Sequence, residues 1–123
     1  MALSPFAGRV FVVAGSSASL GVAADALTTA EALVAVVGPV PLTTDAAAHF
    51  HADPTDAGVW ERVVPHVEQR LGPIDGVLSD RAAQPVAERR VGPDLRRRGH
   101  GAVVVVDDGI DVDDVLRTLA DTL

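Results

Sequence analysis

Short apolar runs alternate along this chain with segments whose apolar residues recur every three or four positions. Val10 to Val13, Leu33 to Val37 and Val103 to Val106 are apolar runs rich in β-branched residues. Such runs are typical of strands that are buried on both faces of a parallel sheet. After the first run the period becomes helical, with one stripe formed by Leu20, Ala23, Ala24 and Leu27. The alternation predicts an α/β fold.

Further elements follow in the middle of the chain. We predict a third strand from Ala48 to Ala52 and a helix from Gly58 to Leu71, which Thr55 or Asp56 caps. Trp60 is a core or interface anchor in this helix. The segment from Pro39 to Ala47 is too short and too rich in proline for a helix between the second and third strands.

The segment between the first strand and the first helix carries the most specific chemistry. Residues Ala14 to Gly21 read A-G-S-S-A-S-L-G, a turn that directs backbone N–H groups at an anion. The turn resembles the T-G-x-x-x-G-x-G motif of the short-chain dehydrogenase/reductase family. Gly15 and Gly21 match its outer glycines, and Ser19 replaces the middle one. In an unrelated protein the two glycines would form a tight turn and a close helix–strand contact.

Two further segments extend the resemblance. Asp53 to Asp56 matches the family's D-x-T-D, and Leu71 to Asp75 reads L-G-P-I-D, as in the family. The chain is therefore identified as a truncated and degenerate member, since the family is about twice as long. The resemblance implies a single Rossmann-like domain over residues 1–123. It has three layers, a parallel sheet of five strands in the order 3-2-1-4-5, and several family helices missing.

The resemblance also implies which residues would face a cofactor: Gly15, Ser17, Ser19, Leu20, Gly21 and Asp53. Dinucleotide affinity is expected to be weak or absent, because Ser19 replaces a glycine that lets the backbone approach the pyrophosphate. Gly38 and Pro39 offer no side chain to the adenosine ribose. Glu31 stands where the family has a glycine that ends the first helix, so we expect that turn to be built differently.

The family's catalytic residues are absent. It uses a Tyr, a Lys, a Ser and an Asn, whereas this chain contains no Tyr, Lys or Asn at all. Asp107, Asp108 and Gly109 stand where the family has its catalytic Ser, and Ser79 to Ala82 replaces its N-N-A-G segment. Hydride transfer by the family's mechanism, by this chain alone, is therefore excluded. We predict no catalytic residue of the family's kind.

The amino-acid composition disfavours or excludes several other classes of function. Ten basic against seventeen acidic residues give a net charge of −7, which disfavours nucleic acid and anionic membranes as partners. The absence of cysteine excludes disulfides and thiolate chemistry. No apolar stretch suits a membrane span or a signal peptide, so we expect a cytoplasmic protein. His49 and His51 share a strand face but lack a third ligand, and Asp111 to Asp114 fits a helix start better than a metal site.

Three hypotheses about function remain. The first is a non-catalytic binding or partner subunit. The second is a nucleotide-binding oxidoreductase component that depends on a full-length partner. The third is a new acid–base enzyme that uses Asp80 with Asp107 or Asp108, which follow adjacent strands at their carboxyl ends.

Helix coverage leads to a prediction about assembly. The helix before the fifth strand is expected to be missing, with only Ala83 to Val91 in its place, as is the helix after the second strand. Too few helices would remain to cover both faces of the sheet. We therefore predict a homodimer, or pairing with a full-length relative, with Trp60 and Ala83 to Val91 as contact residues.

Overall fold

The fold is a five-stranded parallel sheet covered by helices on both faces. A computed structural model describes residues 4–123. The strands are β1 (Val10–Ala14), β2 (Leu33–Val37), β3 (Ala48–Phe50), β4 (Gly76–Ser79) and β5 (Val103–Val105). Their order is β3-β2-β1-β4-β5, and every pairing is parallel. This confirms the predicted α/β class and strand order.

The apolar runs form strands whose side chains are buried on both faces at the centre of the sheet. All five residues of β1 are buried, and in the register Val12 lies between Ala35 and Val77. A strand in this position needs apolar side chains in both directions, which removes the period-2 alternation of half-buried strands. β3 and β5 are the two edge strands, and both are only half-buried.

Among the residues that the structure describes, four helices form the outer layers: α1 (Ala18–Thr29), α2 (Ala57–Arg70), α3 (Gln84–Arg98) and α4 (Val112–Asp121). The apolar side chains of α1 and α4 pack on one face of the sheet, and those of α2 and α3 pack on the other. Asp111 caps α4, as the sequence predicted, and Asp56, one of the two candidates beside Thr55, caps α2. Each does so through a carboxylate oxygen that accepts a backbone N–H two residues on.

The helix before the fifth strand is present, so the prediction that it is missing was wrong. α3 runs without interruption through Pro93, which is exposed, and ends at Gly99 in the left-handed region. Ala87, Val91 and Leu95 are buried against the sheet at helical spacing. Burial of these side chains outweighs the roughly 3 kcal/mol that a proline in a helix interior costs.

The expected bare sheet face does not exist either, because two helices lie on each face. Trp60, which was a predicted contact residue, is fully buried, and its Nε1–H donates to the carbonyl of Pro54 at 2.7 Å. Within residues 4–123 the exposed large apolar side chains are Val22 and Ile110. The prediction of a dimer thus loses the structural reason that was given for it.

The connection between β2 and β3 has no helix, as predicted. A carboxylate holds this loop in place: Asp25 of α1 accepts hydrogen bonds from the backbone N–H groups and hydroxyls of Thr43 and Thr44, at 2.5–3.2 Å. Partial burial works to raise the pKa of Asp25, but these hydrogen bonds outweigh it and leave the pKa below its ordinary value. Apolar residues of the loop, Val40 among them, pack into the same core cluster as the apolar residues of α1 and α4.

The turn after α1 corrects another expectation. Glu31 adopts φ 69°, the left-handed conformation that a glycine would take there. Among residues 4–123 it is the only non-glycine residue with a positive φ. Its carbonyl accepts the N–H of Gly8 at 3.1 Å. The turn therefore has the backbone geometry expected for a glycine, and Glu31 is strained in that geometry. None of the helices that the structure describes is long and apolar enough to cross a membrane.

Candidate functional site

The candidate site is the turn from β1 into α1, at the carboxyl edge of the sheet. β1 ends at Ala14, Gly15 follows with φ 138°, and Ser17 caps α1. The Ser17 hydroxyl accepts the N–H of Leu20 at 3.2 Å and donates to the carbonyl of Val106 at 3.0 Å. The Ser17 side chain thus caps α1 and connects the turn to Val106, the residue after β5.

Two carboxylates bind the backbone N–H groups of this turn. The N–H of Ser16 donates to Oδ2 of Asp80 at 3.1 Å, and the N–H of Ala18 donates to Oδ1 of Asp108 at 2.9 Å. These amides lie at the N-terminus of α1, where backbone donors and the helix dipole favour a negative charge. The chain supplies that negative charge from its own residues.

Asp80 is fixed from several directions. Its other carboxylate oxygen, Oδ1, accepts the N–H of Ala83 at 2.9 Å, ahead of α3, and its backbone N–H donates to the carbonyl of Ala14 at 3.1 Å. A Cβ on Gly15 would lie 2.4 Å from Oδ2 of Asp80. Glycine is therefore required at position 15 both for the positive φ and for the approach of this carboxylate.

Gly21, the last glycine of the motif, makes a close contact of a different kind. A Cβ there would lie 1.8 Å from the carbonyl oxygen of Pro41, so the backbone of the β2–β3 loop packs directly on α1. Leu20 beside it is fully buried, and Ser19 is half-buried in the first turn of the helix. The glycine thus serves a helix–loop contact in this protein.

Asp53 lies outside the turn, beyond the end of β3. It is exposed, and its carboxylate accepts both the hydroxyl and the N–H of Thr55, which lower its pKa below the ordinary value. The neighbouring Pro54 occupies the space beside the end of β2, where a Cβ on Gly38 would lie 3.3 Å from Cδ of Pro54. The structure therefore brings five of the six predicted cofactor residues into one turn and holds Asp53 in another.

The third carboxylate at this edge has a different partner. Oδ2 of Asp107 accepts a hydrogen bond from Arg81 at 2.8 Å in an exposed ion pair. No hydrogen bond within residues 4–123 joins Asp80 to Asp107 or Asp108. Over the same residues, no group of three or more side chains is arranged to hold a metal ion. The arrangement gives no support to an acid–base pair here.

The residues present do not fit a dinucleotide in this geometry. A pyrophosphate at the α1 turn would have to displace two carboxylates, each of which makes a charge-assisted hydrogen bond. The sequence indicated that Asp80, Asp107 and Asp108 follow adjacent strands at their carboxyl ends. Sequence reasoning missed that Asp80 and Asp108 bind the turn, since no local pattern pairs residues that are 64 and 90 positions apart.

Comparison with solved structures agrees with the fold. Three variants of a Serratia marcescens short-chain dehydrogenase/reductase match with TM-scores of 0.52, 0.51 and 0.51, at 19%, 20% and 21% identity. The matches cover 95%, 95% and 76% of this chain, but only 46%, 47% and 49% of those proteins. No protein-family model and no curated protein matches the sequence significantly. The chain therefore has a short-chain dehydrogenase/reductase-like Rossmann fold and spans under half the length of these structures.

Proposed function

We propose that this protein is a degenerate short-chain dehydrogenase/reductase-like domain that acts as a non-catalytic binding or partner subunit. The absence of Tyr, Lys and Asn from the sequence supports this, because the resemblance implies a catalytic Tyr–Lys pair and an Asn. Asp108 stands in place of the catalytic Ser, and a carboxylate there would oppose the negative charge that develops on a reacting carbonyl oxygen.

The observation that carries the proposal is the pair of internal hydrogen bonds to the α1 turn. The carboxylates of Asp80 and Asp108 satisfy the N–H groups of Ser16 and Ala18. Hydrogen bonds to charged groups contribute about 1.5–3 kcal/mol each, so a phosphate gains little by exchanging with them. Both carboxylates would also repel it.

A calorimetric titration with NADH and with NADPH tests the proposal. We expect no heat of binding from the unaltered protein. A micromolar or tighter dissociation constant for either nucleotide contradicts the proposal. In the same titration, Asp108→Asn removes the charge of a carboxylate that bonds to the turn, and Asp107→Asn is its matched control, because Asp107 lies at the same edge but bonds to Arg81 instead of the turn.

Assembly is a separate part of the proposal. A homodimer, or a complex with a full-length relative that completes a nucleotide site, would give the non-catalytic domain a partner. Light scattering at micromolar concentration decides the first of these: a mass of 12.7 kDa, that of one chain, contradicts the homodimer. Co-purification from the host followed by mass spectrometry tests the second.

A further inference from the structure

A small pocket opens at the edge of the sheet, between β3 and α2. Its volume is about 190 Å³. The residues that line it are Phe50, Ala52, Val59, Arg62, Val63 and His66. Four of the six are apolar, so the pocket has an apolar floor.

The pocket exists because β3 is an edge strand of only three residues. Phe50 and Ala52 are half-buried and pack against the core under α2, whereas Val59 and Val63 of that helix are buried. The ring of His66 meets the ring of Phe50 edge to face, with centroids 5.4 Å apart and an interplanar angle of 90°. Phe50 therefore presents an aromatic wall to the pocket, with the ring of His66 packed against it.

Arg62 gives the lining of the pocket a permanent positive charge. Arg62 and His66 are the titratable residues of the lining, and no carboxylate lines the pocket. Within residues 4–123, Arg62 forms none of the ion pairs, although the whole chain carries a net charge of −7. An apolar floor with an unpaired guanidinium at its rim complements a ligand that is apolar at one end and anionic at the other.

We infer that this pocket binds a small organic carboxylate whose apolar body is about the size of one aromatic ring. An enclosed apolar cavity of roughly 150 Å³ holds a benzene molecule, so this open pocket of about 190 Å³ has room for one aromatic ring. The carboxylate lies at the mouth, where Arg62 donates to it. His66 lies one turn further along α2 and lines the same side of the pocket. The inference does not rest on the proposed function, because no lining residue belongs to the α1 turn.

A titration with phenylacetate, followed by ¹H–¹⁵N correlation spectra of the labelled full chain, tests the inference. We expect saturable shifts at Phe50, Ala52, residues 59–64 and His66, and weak binding that reflects the small ligand. The uncharged analogue 2-phenylethanol is expected to bind about tenfold more weakly, since it cannot form the charge-assisted hydrogen bond.

Two variants of one helix sharpen the test. Arg62→Ala is expected to weaken phenylacetate about tenfold, whereas Arg70→Ala is expected to change nothing. Both arginines are exposed on α2, and Arg70 lies outside the pocket. Shifts that do not saturate, equal binding of phenylacetate and 2-phenylethanol, or equal effects of the two variants would each overturn the inference. Nucleotide binding is measured separately, so failure here leaves the proposed function standing.

Discussion

Asp75 and Asp80 lie at opposite ends of β4. Each carboxylate accepts a hydrogen bond from a backbone N–H, but the consequences differ. At the amino edge, Asp75 accepts the N–H of Val10 at 2.9 Å and lies near Arg9 and His100, at 3.6 and 3.3 Å. At the carboxyl edge, Asp80 accepts the N–H of Ser16 at 3.1 Å. Each carboxylate ties β4 to the backbone at one end of β1.

The two hydrogen bonds differ in the surroundings of the backbone N–H that donates. Val10 is a buried strand residue whose N–H needs an acceptor, and Asp75 keeps only 13% of its side-chain surface exposed. The N–H of Ser16 is exposed at a helix N-terminus and could bind a ligand. The same kind of hydrogen bond thus completes the fold at one edge and occupies a backbone donor of the candidate site at the other.

The largest expected effect is at the amino edge. Asp75→Ala leaves the buried N–H of Val10 without an acceptor and removes the partner of Arg9 and His100. We expect the free energy of unfolding to fall by about 3 kcal/mol, measured by urea denaturation. Asp75→Asn keeps an oxygen acceptor and is expected to lose less. An equal loss in the two variants would show that the charge, and not the hydrogen bond to Val10, matters there.

The corresponding change at the carboxyl edge is expected to be smaller. Asp80→Ala frees the N–H groups of Ser16 and Ala83, and water reaches the first of these. We expect a loss of about 1.5 kcal/mol in the same measurement. Asp107→Ala, which breaks only an exposed ion pair, is the control and should cost less than about 0.5 kcal/mol. A loss at Asp80 equal to that at Asp75 would remove the contrast between the two edges.

Relief of the backbone strain at Glu31, at the amino edge, is expected to raise the free energy of unfolding by a modest amount. Glu31→Gly places glycine at φ 69°, where its freedom removes the steric conflict. The greater entropy of the unfolded chain offsets part of the gain, so we expect thermal unfolding to show stabilisation of about 0.5 kcal/mol. Glu31→Ala removes the charge but keeps the strain. Equal stabilisation by Ala and Gly would contradict this explanation.

The smallest expected effect concerns the pH dependence of the loop that leaves the carboxyl edge. The pKa of Asp25 in the folded protein lies below its ordinary value of 3.8. Ionised Asp25 therefore stabilises the fold above about pH 4, and this contribution is lost as the pH falls through the lower, folded-state pKa. Acid titration of thermal unfolding should show a shallower decline for Asp25→Asn than for the unaltered protein. Parallel curves would contradict the role of Asp25.

The sequence by itself determined the sheet and several helix starts. The runs at Val10 and Val103 are apolar in both directions, as is typical of a parallel sheet covered on both faces, and Asp56 and Asp111 cap helices through backbone N–H groups two residues away. These features depend on local spacing, so a linear pattern records them.

Tertiary structure alone decided the rest, because the deciding contacts join distant parts of the chain. Gly92 and Pro93 disfavour a helix locally, yet burial of Val91 and Leu95 on the sheet keeps α3 continuous. Glu31 is strained because its turn must join α1 to β2. The α1 turn holds no free pair of donors at Ser16 and Ala18, since β4 and β5 bring Asp80 and Asp108 to its amides. Sequence spacing could show the turn but not the carboxylates that fill it.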